Sequence, residues 1–113
     1  MASYCMNLNE GPFNMIKSGR KCIEMRLNKN GRDQIKPGDE LVFINEKTGE
    51  KIMTTVTLVS KFPSFHELYK AFVKTDLGYL DNEIANPDDM LEYYSREDIK
   101  KYGVLAIGVK LEK

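Results

Sequence analysis

Within the ten residues from Lys17 to Arg26 the chain changes its hydrophobic period from helical to extended, and this switch constrains the fold more than any other feature. Gly19 suits the C-terminal cap of a helix over residues 12–18, because glycine enters the left-handed conformation without a Cβ penalty. Lys21 then opens an extended run in which Ile23, Met25 and Leu27 share one face and Cys22, Glu24 and Arg26 the other. The first face is apolar and must be buried. The second sets a carboxylate beside a guanidinium, with an ammonium at its head. If that face looks into a cleft, Lys21, Glu24 and Arg26 make a polar cluster able to hold and polarise a carbonyl or phosphate. If it looks into water, they are a solvated ion pair.

The rest of the chain places strands around this point, with short helices between them. Residues 4–8 read as a first strand, and the helix over 12–18 turns Phe13 and Ile16 inward. Lys36, Pro37, Gly38 and Asp39 spell a type II turn, in which proline presets the first central residue and glycine supplies the positive φ of the second. Residues 41–44 then form a strand, the polar connection over 45–50 turns the chain, and residues 51–60 return. Strict alternation sets Ile52, Val56 and Leu58 on one face of the returning strand and Met53, Thr55, Thr57 and Val59 on the other. Ser64 with Glu67 makes a capping box for a helix over 65–73 whose buried stripe is Phe65, Leu68 and Phe72. Asn86 before Pro87 caps a short helix reaching residue 93 or 94, and Ser95 caps another that ends near 101. Residues 103–111 form a last strand, apolar on both faces. The pattern is that of an α+β chain: a small, twisted, mixed sheet closing into a barrel, with short helices plugging one end or covering a cleft.

With 113 residues, 42% hydrophobic and 30% charged, the chain supports one compact domain over 1–113. No run approaches the roughly 20 apolar residues of a membrane helix, and the N-terminus lacks a signal pattern, which points to a cytoplasmic protein with no membrane partner. Cys5 and Cys22 are too few for a disulfide framework and, with the lone His66, too few for a metal site. Both cysteines are read as reduced structural thiols, and neither a metal nor a cofactor is expected. The net charge of zero hides an uneven distribution: over residues 17–36 seven basic residues stand against two acidic ones, and over 76–98 eight acidic residues stand against Arg96 alone. A basic lobe can follow a phosphate backbone, while the acidic lobe argues against nonspecific coating of long duplexes, so a short strand, a loop or a nucleoside suits the chain better. The alternative is that the two lobes neutralise each other within the fold.

Several separated motifs stand in an order that resembles the ASCH domain, a member of the PUA-like superfold: Pro12 and Phe13, then residues 16–21, 23–26, 35–39 and 102–104. The resemblance spans nearly the whole chain. It implies a small β-barrel with helices over a cleft, a Gly-x-Lys-x-x-x-x-Arg signature at the cleft entrance, which Gly19, Lys21 and Arg26 match, and an RNA-linked role. Domains of this family include RNA-binding modules, coactivator-associated domains, a ribonuclease and a bacterial acetylcytidine amidohydrolase. The amidohydrolase comparison implies a lysine, a threonine three residues later, and a distant glutamate on a helix before the final strand. Lys21 fits the lysine, Glu24 stands in the place of the threonine, and Glu97, or in second place Glu92, fits the glutamate. A carboxylate at position 24 removes the hydroxyl nucleophile, but it is able to serve as a general base toward a water.

The expectation is therefore a domain that binds RNA or a modified nucleoside in a charged cleft, with Lys17, Gly19, Arg20, Lys21 and Arg26 at the ligand. Asn45 is placed either to read a base edge or to close its hairpin. Tyr94 and Tyr102, ahead of Tyr93, are placed either to stack on a base or to fill a core edge. The alternatives are a metal-free amidohydrolase on acetylated cytidine nucleosides, with Lys21, Glu24 and Glu97 as catalytic residues; a ribonuclease, for which the single His66 offers no acid–base histidine pair; and a protein-interaction module. The chain is expected to act as a monomer.

Overall fold

Strands β1 (Ser3–Leu8), β2 (Ile23–Leu27), β3 (Glu40–Asn45), β4 (Lys51–Phe62) and β5 (Val104–Leu111) form one mixed sheet in the order β1-β3-β4-β5-β2, in a computed structural model that describes residues 1–112. Only β1 and β3 run parallel; every other neighbouring pair is antiparallel. The edge strands β1 and β2 share no ladder, yet the Arg26 guanidinium on β2 donates from Nη2 to the Asn7 carbonyl on β1 at 2.9 Å. The two ends of the sheet thus curl toward each other, and one side chain ties the slot of a half-open barrel. This is the α+β architecture expected from the pattern, and the barrel agrees with the PUA-like fold that the family resemblance implies.

The helices divide between the two faces of the sheet. Helix α1 (Glu10–Lys17) sends Phe13 and Ile16 into an inner core with Leu8, Leu41, Phe43 and Ile107. It starts two residues before Pro12, which is tolerated in a first turn because its missing N–H has no partner there. Its stop is the expected one: Gly19 takes φ +81° and donates to the Ile16 carbonyl. Helices α2 (Phe65–Ala71) and α3 (Arg96–Tyr102), with a 3₁₀ segment at Pro87–Glu92, cover the outer face, where Phe65, Leu68 and Met90 meet Ile23, Met25 and Leu27 of β2. Side-chain caps start all three outer elements: Ser64 accepts from the His66 amide, Asn86 from Asp88 and Ser95 from Asp98.

Three sequence expectations are corrected by the packing. β2 begins at Ile23 and not at Lys21, because the Lys21 amide goes to the Met15 carbonyl and the Cys22 amide to the Asp76 carbonyl. Helix α2 ends at Ala71, and Phe72 leaves it in an extended conformation to meet Phe62 edge-on at 6.1 Å. In β4 a bulge between Val56 and Leu58 breaks the alternation, so Val56 packs in the inner core, Leu58 joins the outer core and Val59 returns to the inner one. Gly108 on β5 makes room for that bulge, since a Cβ there would lie 2.6 Å from the Thr57 hydroxyl and 2.7 Å from Leu58 Cγ.

Candidate functional site

Glu24 and Arg26 on the second face of β2, with Lys21 just ahead of the strand, form a buried ion triad. Glu24 is 3% exposed. Its Oε1 meets Lys21 Nζ at 3.2 Å and its Oε2 meets Arg26 Nε at 2.8 Å, so each carboxylate oxygen has its own cation. Burial by itself would raise this carboxyl, but the charges of Lys21 and Arg26 and their hydrogen bonds outweigh it and hold the group below the usual carboxylate range. The antiparallel register with β5 fixes the triad in place, pairing Glu24 with Ile107 and Arg26 with Leu105. A carboxylate so stabilised is a weak base, which suits it to orienting two cations and not to removing a proton.

Lys21, Glu24 and Arg26 form one wall of a cavity of about 440 Å³. The facing wall is built from residues 69–94. Here the Tyr69 and Tyr79 hydroxyls are 3.0 Å apart, and the Tyr79 hydroxyl also lies 2.7 Å from Asp89 Oδ2 and 3.3 Å from the Asn86 carbonyl. Burial, followed by the bonds to Tyr69 and Asp89, pushes the Tyr79 phenol far above its ordinary range, and burial also raises Tyr69. Tyr94 completes this side, stacked on Phe65 with centroids 5.9 Å apart, and burial raises its phenol too. The walls touch at Gly78, whose φ is +108° and where a Cβ would meet Met15 Sδ at 3.2 Å and Lys21 Cδ at 3.3 Å.

The residues singled out from sequence separate into two groups. Lys21, Glu24, Arg26 and Tyr94 converge on the cavity, and exposed Tyr93 lies on its rim. Lys17 instead pairs with Glu50, at 2.5 Å, on the outside of the molecule. Gly19 serves the helix stop, and Arg20 donates to the Gly78 carbonyl at 2.9 Å, bracing the loop from its outer side. Asn45 is buried and its side chain accepts from the Lys47 amide, so it closes the hairpin. Tyr102 packs on the outer core with Lys29 and Lys101 over its ring, 5.3 and 5.2 Å from the centroid. Glu97 is exposed in the first turn of α3, outside the cavity lining, whereas Glu92 is part of that lining. Of the two carboxylates that the amidohydrolase resemblance offered, Glu92 on the 3₁₀ segment thus lies on the cavity and Glu97 at the start of α3 does not.

Sequence reasoning missed Asn7, Tyr69, Tyr79 and Asp89. One signal was available: residues 72–86 carry no regular helix or strand period, and irregular stretches of that length in compact domains are commonly functional. Among the described residues no three His, Cys, Asp or Glu side chains are grouped so as to hold a metal ion, and no helix is long and apolar enough to cross a membrane.

The fold and cavity define a small PUA-like barrel with a walled cleft. The ASCH domain family profile matches residues 6–113, and the chain belongs to that family. Among solved structures, it is similar to the hypothetical protein PH0355, with 29% identity, a TM-score of 0.81, and coverage of 97% of this chain and 99% of that one. Protein PF0455 from Pyrococcus furiosus is 30% identical with a TM-score of 0.69, covering 98% of both chains. An ASCH domain from Lactobacillus crispatus shares the fold at 13% identity and a TM-score of 0.68, over 97% of this chain and 79% of that one. No curated protein matches the chain.

Proposed function

We propose that this chain binds a nucleoside, free or presented by a single RNA strand, in the cavity beside β2. The observation that carries the reading is the Lys21–Glu24–Arg26 triad, buried and fixed by the sheet, facing tyrosine rings and hydroxyls across a space of about 440 Å³. That volume lies in the range of small-ligand sites, roughly 300–1,000 Å³. Lys21 retains two N–H donors beyond its bond to Glu24, enough to hold a base carbonyl, while Tyr69, Tyr79 and Asp89 face hydroxyls or an exocyclic amine. The lining carries five carboxylates, Glu24, Glu46, Glu83, Asp89 and Glu92, against the two cations Lys21 and Arg26. Such a balance favours a neutral, donor-rich ligand and disfavours a phosphate at this position.

Hydrolysis of an acetylated cytidine nucleoside is the second reading, supported by the presence of both Lys21 and Glu92 on the lining. It is weakened by the low basicity of Glu24. NMR titration with the four common nucleosides and N4-acetylcytidine, each with wild type, Lys21→Ala and Arg26→Ala, tests both readings. Binding predicts saturable shifts at cavity residues that vanish in a folded Lys21→Ala variant. Acetate release that needs Lys21 and Glu92 would establish the hydrolase. Absence of any saturable shift at millimolar ligand would overturn both.

A further inference from the structure

A second cavity, also about 440 Å³, opens on the other side of the tie between β1 and β2. It shares Asn7, Arg26 and Glu46 with the first, so the two spaces meet at the Arg26 guanidinium. Their electrostatic characters differ. Where the first is lined by five carboxylates, the second has Arg26 and Arg32 against Glu46 alone.

Arg32 has an incomplete environment. It is half-buried, and among the described residues its one side-chain hydrogen bond runs from Nη1 to the Leu27 carbonyl at 3.3 Å and no carboxylate lies within ion-pair distance of it. Burial, then repulsion from Arg26, pulls this guanidinium below its usual range. Arg26 has spent its Nε on Glu24 and one terminal nitrogen on Asn7. The unused N–H donors of Arg32 face the cavity and its water, free to take an anion, and the planar fork of a guanidinium matches phosphate oxygens in pairs.

We infer that the cavity lined by Arg26 and Arg32 is a phosphate subsite, and that the ligand of the cleft is a nucleotide unit whose nucleoside part occupies the acidic cavity and whose phosphate occupies this one. The inference rests on the nucleoside reading above and extends it to a substrate class: a nucleoside carrying a phosphate, as a free nucleotide or as one residue of a strand. Glu46, shared by both cavities, opposes a second negative charge at the junction, which limits the subsite to one phosphate group.

Calorimetric titration of the full chain at low ionic strength provides the test, comparing nucleosides, their 3′- and 5′-monophosphates, a dinucleotide and inorganic phosphate. The phosphate is expected to tighten binding about tenfold over the matching nucleoside. Rising salt should erase that gain, as should Arg32→Gln, while nucleoside affinity stays unchanged. Should Arg32→Gln not fold, amide shifts in wild type decide: phosphate-specific shifts at Gly31 and Arg32 support the subsite, and phosphate-specific shifts at Tyr79 overturn it. A nucleoside that binds without any gain from phosphate, or a gain that survives Arg32→Gln, also overturns it. If nucleosides fail but inorganic phosphate binds through Arg32, the nucleoside reading falls and the anion subsite stands; if nothing binds, both fall. Tighter binding of the dinucleotide than of either monophosphate assigns the phosphate to a strand, and the reverse order assigns it to a free nucleotide.

Discussion

On the β2 wall of the cleft the Glu24 side chain is 4% exposed and each of its oxygens meets a cation, whereas on the facing wall the half-buried Tyr79 hydroxyl joins Tyr69 to Asp89 through groups open to solvent. The first wall stands on a ladder whose register places every side chain. The second hangs on polar bonds between near neighbours: Lys74 Nζ to the Asp81 and Glu83 carbonyls at 2.8 and 2.6 Å, and the Leu80 amide to Glu83 Oε1 at 2.6 Å. Bonds of this kind contribute about 1 kcal/mol each and are readily exchanged for water. A buried triad between strands opens only with the sheet, while a solvent-facing loop opens locally. The difference makes β2 the rigid wall of the cleft and residues 74–94 the wall that opens locally.

The sharpest way to break this comparison is Glu24→Gln. Removing the charge leaves Lys21 and Arg26 facing each other, and the expected loss is about 3 kcal/mol in urea unfolding, at the low end for a broken buried pair because both cations reach some water. The acid limb of stability should flatten in the same variant. With its folded-state pKa depressed, Glu24 stabilises the native state above the unfolded value of about 4.3, and that contribution is lost as pH falls through the lower folded value. A change under 0.5 kcal/mol would show that the triad is solvated after all.

Gly78→Ala tests the point where the walls meet. A side chain there must adopt a positive φ and displace Met15 or the Lys21 stem, with an expected loss of about 1–2 kcal/mol by thermal unfolding. The comparison predicts that amide shifts spread to Lys21 and the start of β2; shifts confined to residues 75–81 would mean that the walls are mechanically independent.

The smallest effect belongs to Tyr79→Phe, at about 1 kcal/mol or less, because the three partners of the lost hydroxyl can turn to water. Its signature lies at the other end of the pH scale. The Tyr79 phenol is raised above its unfolded value of about 10, so its contribution is present below that pH and lost as pH rises beyond it. Tyr79→Phe should therefore flatten the alkaline limb and leave the acid limb, the mirror image of Glu24→Gln. Identical limbs in the two variants would erase the distinction between the walls.

Much of the fold was legible because it depends on neighbours within four residues. The period of two from Ile23 to Leu27, the stop at Gly19, the turn at Gly38 and the caps at Ser64, Asn86 and Ser95 are local hydrogen-bond and steric arrangements, and each stands where the residues place it. The polar half of the cleft was legible for the same reason, since Lys21, Glu24 and Arg26 lie within six residues, the last two on one strand and Lys21 just ahead of it. The sequence reading ranked Glu97 ahead of Glu92, but which of two nearby short helical turns lines the cavity depends on tertiary packing that no local pattern carries.

The sequence by itself determined which segments are extended or helical, where they stop, and that one strand carries a charged face opposite an apolar one. The tertiary structure alone decided the parallel pairing of β1 with β3, the exchange of faces at the β4 bulge, the tie from Arg26 to Asn7, and the approach of Tyr79 and Asp89 to β2. Each of these joins residues far apart along the chain or depends on a partner strand, so its free energy comes from burial and pairing that exist only once the sheet has curled. No local pattern encodes such contacts, and the unpaired charge of Arg32 becomes visible only when the neighbours that fail to neutralise it are in place.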